Sequence, residues 1–405
     1  MAGLGVIEPH RDILLELITL ERAEARLPVS HPLIRLDNGT KTECCTNAAT
    51  SMLLGNPILS NLFYCLPNQR GLLAVIKGLS AARPTDVASL RNLRSHVVAA
   101  VPAAGECFAG YRRQQDSHEW LVYLFEGLEK EMPTNIKDPF LSMVQMQSEV
   151  TSHCTAAGHV KRKMEVDTIL SVPVQHPVTE QSFNSLSQCL LSYFSEETVD
   201  VNCRSCQCDQ ACQSRRVIAD PDVLLIHLKR FDRTGQRLGQ QIEFKPELPG
   251  KSDDRPYVLT GIVLHDGETP QSGHYRTVIR CYQTGKLFLL DDSKEPRLLP
   301  MTDRVLRGMY QDAYIFLFSK EHKIRQQVSV TVNLTNRLLT ELGMIGDHQM
   351  AEPVHCESTV GCDDVLNQPL HCDLDVEPQS VPDCEQLAMQ EVIRSEEHTS
   401  ELQSQ

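Results

Sequence analysis

Three side chains in this sequence could together break an amide bond: Cys44, His274 and Asp291. A thiolate is a nucleophile, an imidazole moves its proton near neutral pH, and a carboxylate holds that imidazole in one tautomer. His274 stands in Gly273-His274-Tyr275, between stretches that read as strands. Upstream, Tyr257 to Leu264 is rich in β-branched and apolar residues; downstream, His274 to Arg280 alternates. A Thr284-Gly285 turn leads to a third strand, Leu287 to Leu290, which ends at Asp291-Asp292. Antiparallel pairing of the last two strands predicts His274 and Asp291, seventeen residues apart, at matching ends of neighbours. Cys44 opens a helical stretch, where the positive end of the helix dipole predicts a thiol pKa below the ordinary value.

The elements that must position these groups fall into two halves. Residues 11–27 read as an amphipathic helix, and 1–30 as a helical extension. Asn47 to about Leu62 is helical, interrupted by Gly55 and Pro57, and residues 72–104 continue as helices. Tyr111 to Met132 carries Trp120, Leu121, Leu124, Phe125 and Leu128 at helical spacing, with Asp116 and Glu119 near its start. After Pro133 the pattern turns to strands: Val160 to Val174, Val223 to Leu228, the three around His274, and Ala313 to Phe318. This predicts an α+β fold, helical in its first half and an antiparallel sheet in its second, with a site in the cleft between them.

Composition narrows the function classes. The 405 residues are 41% apolar without any run of eighteen apolar residues, which predicts a sizeable core and no membrane span. From residue 321 onward 16 acidic residues face 4 basic ones, leaving the first 320 residues close to neutral. No basic face emerges, which argues against a nucleic-acid partner. Residues 321–345 read as a possible helical extension and 346–405 as an acidic, disordered tail. Residues 394–404 read as a translated sequencing adapter. Fifteen cysteines without a secretory leader read as reduced thiols, metal ligands or a nucleophile, and predict a cytoplasmic or nuclear protein.

A cysteine early and a histidine and aspartate late is the order of a papain-like thiol hydrolase. Over residues 31–320 the chain resembles the ubiquitin-specific protease family. The family box Gln-Gln-Asp-Ala-His-Glu-Phe is matched by Gln114 to Trp120. "Leu-X-Ile-X-Leu-Lys-Arg-Phe" is matched by Leu224 to Phe231, "His-X-Gly … Gly-His-Tyr … Asp-Asp" by His265 to Asp292, and the terminal strand by Ala313 to Phe318. The resemblance implies a thumb, palm and fingers architecture and hydrolysis of the (iso)peptide bond after the last glycine of ubiquitin. It implies Cys44 as nucleophile, His274 as base and Asp291 as its orienting carboxylate, with Asp292 nearby. Gln114, Asp116, Gly273 and Tyr275 would line the channel for the ubiquitin tail. Ubiquitin and ubiquitinated proteins are the implied partners, and catalysis needs no cofactor.

The nucleophile box departs from the family. Asn-X-Gly-Asn-Thr-Cys-Tyr-X-Asn is answered by Asn38-Gly-Thr-Lys-Thr-Glu43-Cys44-Cys45-Thr-Asn47. Asn47 sets the register on Cys44, and the oxyanion asparagine's place falls on Gly39, one residue past Asn38, which a bulge would bring into place as the oxyanion donor. One lost oxyanion donor costs about 3–4 kcal/mol in a comparable protease. Glu43 predicts a raised thiol pKa. The alternative to an active hydrolase is a ubiquitin-binding scaffold of the same fold. In the fingers, Cys203-Arg-Ser-Cys206 and Cys154 predict part of a structural zinc site, with His153, His159, Cys208 or Cys212 as the fourth ligand.

Overall fold

All twelve residues of helix α1 (Cys44–Gly55) are buried, and the molecule is built around it. The computed structural model describes residues 33–66, 70–82, 86–110, 113–250, 255–281, 284–321 and 323. The expected extension at 1–30 and nearly all of the expected segments at 321–345 and 346–405 lie outside them. Asn56 ends α1 and starts α2 (Pro57–Cys65): its Oδ1 accepts from the amides of Ile58 and Leu59, and its Nδ2 donates to Thr260 and Ser319. One asparagine therefore turns the chain and fastens the turn to the sheet. Helices α3 (Leu72–Ser80), α4 (Arg91–Ala100), the single turn α5 (Gly105–Phe108), α6 (Ser117–Glu131) and α7 (Thr134–Val144) complete the helical layer. The long helix starts at Ser117, later than its apolar spacing predicts, because the Asp116 carboxylate accepts the His118 amide at 2.8 Å and caps it there. Strands β1 (Arg35–Leu36) and β2 (Val87–Ala88) form a small parallel pair beside this layer.

Four strands form the fingers, in the order β4-β3-β7-β6: β3 (Met146–Cys154), β4 (Val160–Asp167), β6 (Glu197–Asp200) and β7 (Gln210–Ala219), all antiparallel. The predicted single strand from Val160 to Val174 is broken at Thr168. Its second part, β5 (Ile169–Pro173), crosses into the larger sheet and pairs parallel with β8 (Val223–Lys229). The larger sheet, the palm, runs β13-β12-β11-β10-β14-β8-β5, with β9 (Glu247–Leu248) on β10. Its central members are β10 (Tyr257–Asp266), β11 (His274–Arg280), β12 (Leu287–Leu290) and β14 (Ala313–Lys320), with β13 (Arg297–Leu298) at the edge. Two helices the sequence reading did not separate, α8 (Leu186–Phe194) and α9 (Asp303–Asp312), also lie in this half.

The palm is buried on both faces. Along β8, Val223 and Leu225 enter the core shared with the helical layer, while Leu224, Ile226 and Leu228 enter a second core with α8 and α9. A central strand covered on two sides reads as an unbroken apolar run, which is what Val223 to Leu228 shows. Where α1 crosses the palm, a Cβ on Gly55 would lie 2.2 Å from Ile279, so only glycine lets the helix settle. Thr277 Oγ1 donates to the carbonyl of Ala48 at 2.6 Å and fixes the helix along β11. Cys44 is one turn before Ala48 and His274 three residues before Thr277, so both lie at the same end of the contact between α1 and β11.

Candidate active site

Cys44 is the first residue of α1 and only 1% exposed. Burial pushes its thiol up to about 11, and the nearby Asp292 carboxylate adds to that; amides of Tyr275, Cys45 and Cys44 pull the other way. The helix amides do favour the thiolate, as its position predicts, but desolvation outweighs them. Glu43 is not the carboxylate that burdens the thiol: its side chain turns inward to Arg94, and Asp292 takes that part. Cys45 is equally buried, its sulfur 3.8 Å from the carbonyl of Thr42.

His274 heads β11 with its side chain 39% exposed. Its Nε2 lies 2.7 Å from Asp291 Oδ1, so the imidazole is held by the carboxylate that strand pairing predicts. Nδ1 is left as the nitrogen available for proton transfer. Burial raises Asp291, but the bonds from Lys294, at 2.7 Å, and from His274 outweigh it and leave the carboxyl below its ordinary value. Lys294 was not foreseen; its place three residues after Asp291 was the only available signal. Among the described residues no hydrogen bond joins Cys44 to His274: the thiol faces the backbone of Tyr275, the next residue along β11.

Asp292 adopts a left-handed conformation, with φ 53°, and turns toward the helix. Its Oδ1 accepts from Asn47 Nδ2 and its Oδ2 from Asn38 Nδ2, each at 2.8 Å. Asn38 Oδ1 in turn accepts the Glu43 amide at 2.9 Å. Asn38 is thereby committed to holding the loop before Cys44, which departs from the oxyanion role considered for it. Tyr275 departs as well: it is 1% exposed and its hydroxyl donates to Pro270, so it is a core residue whose backbone alone faces the thiol. Gly273 is exposed, at φ +97°, and a Cβ there would lie 2.0 Å from the Asp266 carbonyl. Only glycine lets this loop close beside β10.

Asp116 caps α6 with Oδ1 and accepts the Tyr314 hydroxyl on Oδ2 at 2.8 Å. Burial lifts it to about 6 despite these bonds. Gln114 Nε2 is buried with no hydrogen-bond partner among the described residues. The sequence box that holds both meets the Leu224–Phe231 box through two histidines. His118 stacks on His227 at 3.9 Å, and Ser171 Oγ lies 3.3 Å and 3.0 Å from their ring nitrogens. Burial drives His118 down to about 4 and His227 well below its ordinary value, so both are neutral packing groups.

At the end of the fingers, two tight turns face each other. One closes with the Gly158 amide on Cys154 and the other with the Gln207 amide on Cys203. Sγ of Cys154, Cys203 and Cys206 and a ring nitrogen of His159 lie within 4.8 Å of one another. Three thiols and an imidazole are a donor set that suits zinc. Of the other residues considered for the fourth place, His153 and Cys212 stand opposite each other on β3 and β7, outside the cluster. Cys208 approaches Cys154 at 2.7 Å, but its sulfur is directed to the Gln210 carbonyl at 3.1 Å.

The model of the ubiquitin carboxyl-terminal hydrolase family matches residues 40–318. The chain is 24% identical over 315 residues to ubiquitin carboxyl-terminal hydrolase 23 of Arabidopsis thaliana, covering 67% of this chain and 35% of that protein. It is 24% identical over 319 residues to the probable ubiquitin carboxyl-terminal hydrolase 8 of Schizosaccharomyces pombe, covering 72% and 66%. With ubiquitin carboxyl-terminal hydrolase 36 of Drosophila simulans the figures are 26% over 380 residues, 82% and 35%. The chain thus spans between about a third and two thirds of the length of these relatives. Helical layer, palm and fingers agree with that assignment, and the family model covers more than half of the sequence: the chain belongs to the ubiquitin carboxyl-terminal hydrolase family.

Proposed function

We propose that this chain is a thiol-dependent deubiquitinase that hydrolyses the (iso)peptide bond after the last glycine of ubiquitin. The observation that carries the reading is the 2.7 Å bond between His274 Nε2 and Asp291 Oδ1. It lies at the edge of the cleft where α1 presents Cys44 against the backbone of Tyr275. His274 Nδ1 takes the thiol proton, Cys44 attacks the carbonyl to give a thioester, and the imidazolium returns the proton to the leaving amine. Water activated by the same nitrogen then releases ubiquitin. Asp291 keeps the imidazole in one tautomer throughout. The amides of Cys44 and Cys45, which face the sulfur, are the fixed donors beside the developing oxyanion.

In the free protein the thiol is protonated, and arrival of the ubiquitin tail brings sulfur and imidazole together; catalytic hydrogen bonds commonly tighten only in the substrate complex. Gln114 and Asp116, at the mouth of α6, receive the tail: the amide of Gln114 has a donor unmatched among the described residues and Asp116 a carboxylate that attracts a cationic side chain. Ubiquitin and ubiquitinated proteins are the partners, in cytoplasm or nucleus, without a role for nucleic acid. No described helix is long and apolar enough to cross a membrane.

Cys154, His159, Cys203 and Cys206 would hold a zinc ion, which would cross-link the two finger turns and take no part in the thiol chemistry. The test of the catalytic reading is ubiquitin bearing a carboxyl-terminal electrophile. Covalent labelling that disappears in Cys44→Ala supports it; labelling that survives that substitution removes Cys44 from the mechanism.

A further inference from the structure

A glutamate precedes the nucleophile and is sealed inside the protein. Glu43 ends the loop before α1, and its side chain is 2% exposed. Its backbone is fixed on both sides: the amide donates to Asn38 Oδ1, and the carbonyl accepts from the Asn47 amide and from Thr46 Oγ1. Among the described residues Oε1 has no hydrogen-bond partner. What faces it is Nη1 of Arg94, 4.0 Å away and likewise sealed, at 3% exposure. Arg94 rises from α4, donates through Nη2 to the carbonyls of Phe108 and Gly110, and lies 5.9 Å from the Phe108 ring. Its charge reaches the first turn of α1, where burial pushes the thiol of Cys45 up to about 12 and Arg94 pulls against that rise.

A carboxylate one residue from a thiol opposes the thiolate, and a low-dielectric interior strengthens that opposition. A guanidinium on the far side of the carboxylate cancels it at the sulfur. We propose that Arg94 is a positioning residue for Cys44: through Glu43 it anchors the turn that carries the thiol and neutralises a charge that would otherwise suppress the thiolate. The inference rests on the reading of Cys44 as nucleophile. The other charged or titratable groups around the thiol are Asp292 after β12 with its neighbours Asp291 and His274, Tyr275 on β11, and Cys45 on its own turn. Arg94 is a cation that reaches this turn from α4.

The test is alkylation of Cys44 by iodoacetamide in the full chain as a function of pH, read by mass spectrometry of the Cys44 peptide. Labelling by the ubiquitin electrophile is measured in parallel. Arg94→Gln slows alkylation at pH 8 at least tenfold. Glu43→Gln speeds it severalfold, since the arginine is then unopposed. The double variant, with a neutral pair, returns within about threefold of wild type. Should Arg94→Gln fail to fold, Glu43→Gln and the double variant still decide. Unchanged or slower alkylation in Glu43→Gln overturns the proposal. So does a double variant as slow as Arg94→Gln, because Arg94 would then act through contacts other than Glu43, such as the Phe108 and Gly110 carbonyls. Wild-type protein that ignores the ubiquitin electrophile while its alkylation follows this pattern would count against the catalytic reading and leave the pairing of Arg94 with Glu43 standing.

Discussion

Asp292 Oδ1 accepts a hydrogen bond from Asn47 Nδ2 at 2.8 Å, which binds the end of β12 to the helix that carries Cys44. Asn38 holds the other carboxylate oxygen, so one acidic side chain clasps both flanks of the nucleophile loop. Hydrogen bonds to a charged acceptor contribute about 1.5–3 kcal/mol each, and an amide left buried without a partner adds a penalty. Asp292→Ala is expected to lower stability by about 3 kcal/mol, seen as a lower urea midpoint with unchanged slope. Asp292→Asn keeps an acceptor and tolerates the left-handed backbone, so its loss is expected nearer 1 kcal/mol. It also removes a negative charge beside Cys44 and lowers the thiol pKa from about 11. Equal losses in the two variants would show that the clasp contributes little.

The pair formed by His274 and Asp291 makes two separable predictions. Asp291→Asn leaves a hydrogen-bonding group in place but favours the wrong imidazole tautomer. Turnover of a ubiquitin carboxyl-terminal amide is expected to fall about 10²–10⁴-fold, with binding of ubiquitin retained. The fold contribution is read by pH. Asp291 lies below its ordinary value when folded, so its stabilisation is complete above the unfolded carboxylate pKa of about 3.9 and is lost as pH falls through the folded value. Asp291→Asn should therefore differ from wild type in urea midpoint at pH 7 and converge with it in acid. A constant difference across that range would remove the charge from the explanation.

Asp116 has the opposite sign. Burial raises its carboxyl to about 6, so the folded state holds the proton more tightly than the unfolded chain, and stability from this group grows as pH falls from 6 toward the ordinary carboxylate value. As the cap of α6 it contributes about 1 kcal/mol. Asp116→Asn keeps the cap and should flatten the stability profile between pH 7 and 5. Asp116→Ala should lose the cap at every pH. Thermal midpoints at three pH values distinguish them, and a flat wild-type profile would contradict the raised carboxyl.

The pairing of His274 with Asp291 and the helix start at Cys44 were legible in the sequence because their parts are local. The alternation after Gly273 and the turn at Thr284-Gly285 place Asp291 beside His274 without further information, and the helical start at Cys44 follows from Asn47 and the apolar run behind it. What stayed hidden depends on burial and on distant partners. A thiol at a helix mouth reads as activated, yet the same packing that buries all of α1 reverses the outcome. Glu43 reads as a neighbour of the thiol until Arg94, fifty-one residues away, is seen to turn it inward. Asn38 reads as an amide donor one place out of register; only the fold shows Asp292 and the Glu43 amide occupying it. The break at Thr168 is invisible in periodicity, since β4 and β5 are both good strands that belong to different sheets.

The fingers carry the last prediction. Zinc held by Cys154, His159, Cys203 and Cys206 would link the β3–β4 turn to the β6–β7 turn, adding to the pairing of β3 with β7 and the Thr155 bond to the Gln210 carbonyl. Purified protein should contain about one zinc per chain by atomic absorption, since a closed structural site takes four ligands. Cys203→Ser and His159→Ala should each lose most of it. Cys208→Ser should keep it, because that sulfur is directed to the Gln210 carbonyl. Binding to the folded form alone stabilises by mass action, so a strong chelator should lower the thermal midpoint of wild type and leave Cys203→Ser unmoved. The imidazole must be neutral and the thiols deprotonated to bind, so zinc should be released on acidification. Zinc retained in His159→Ala and lost in Cys208→Ser would transfer the fourth position to Cys208.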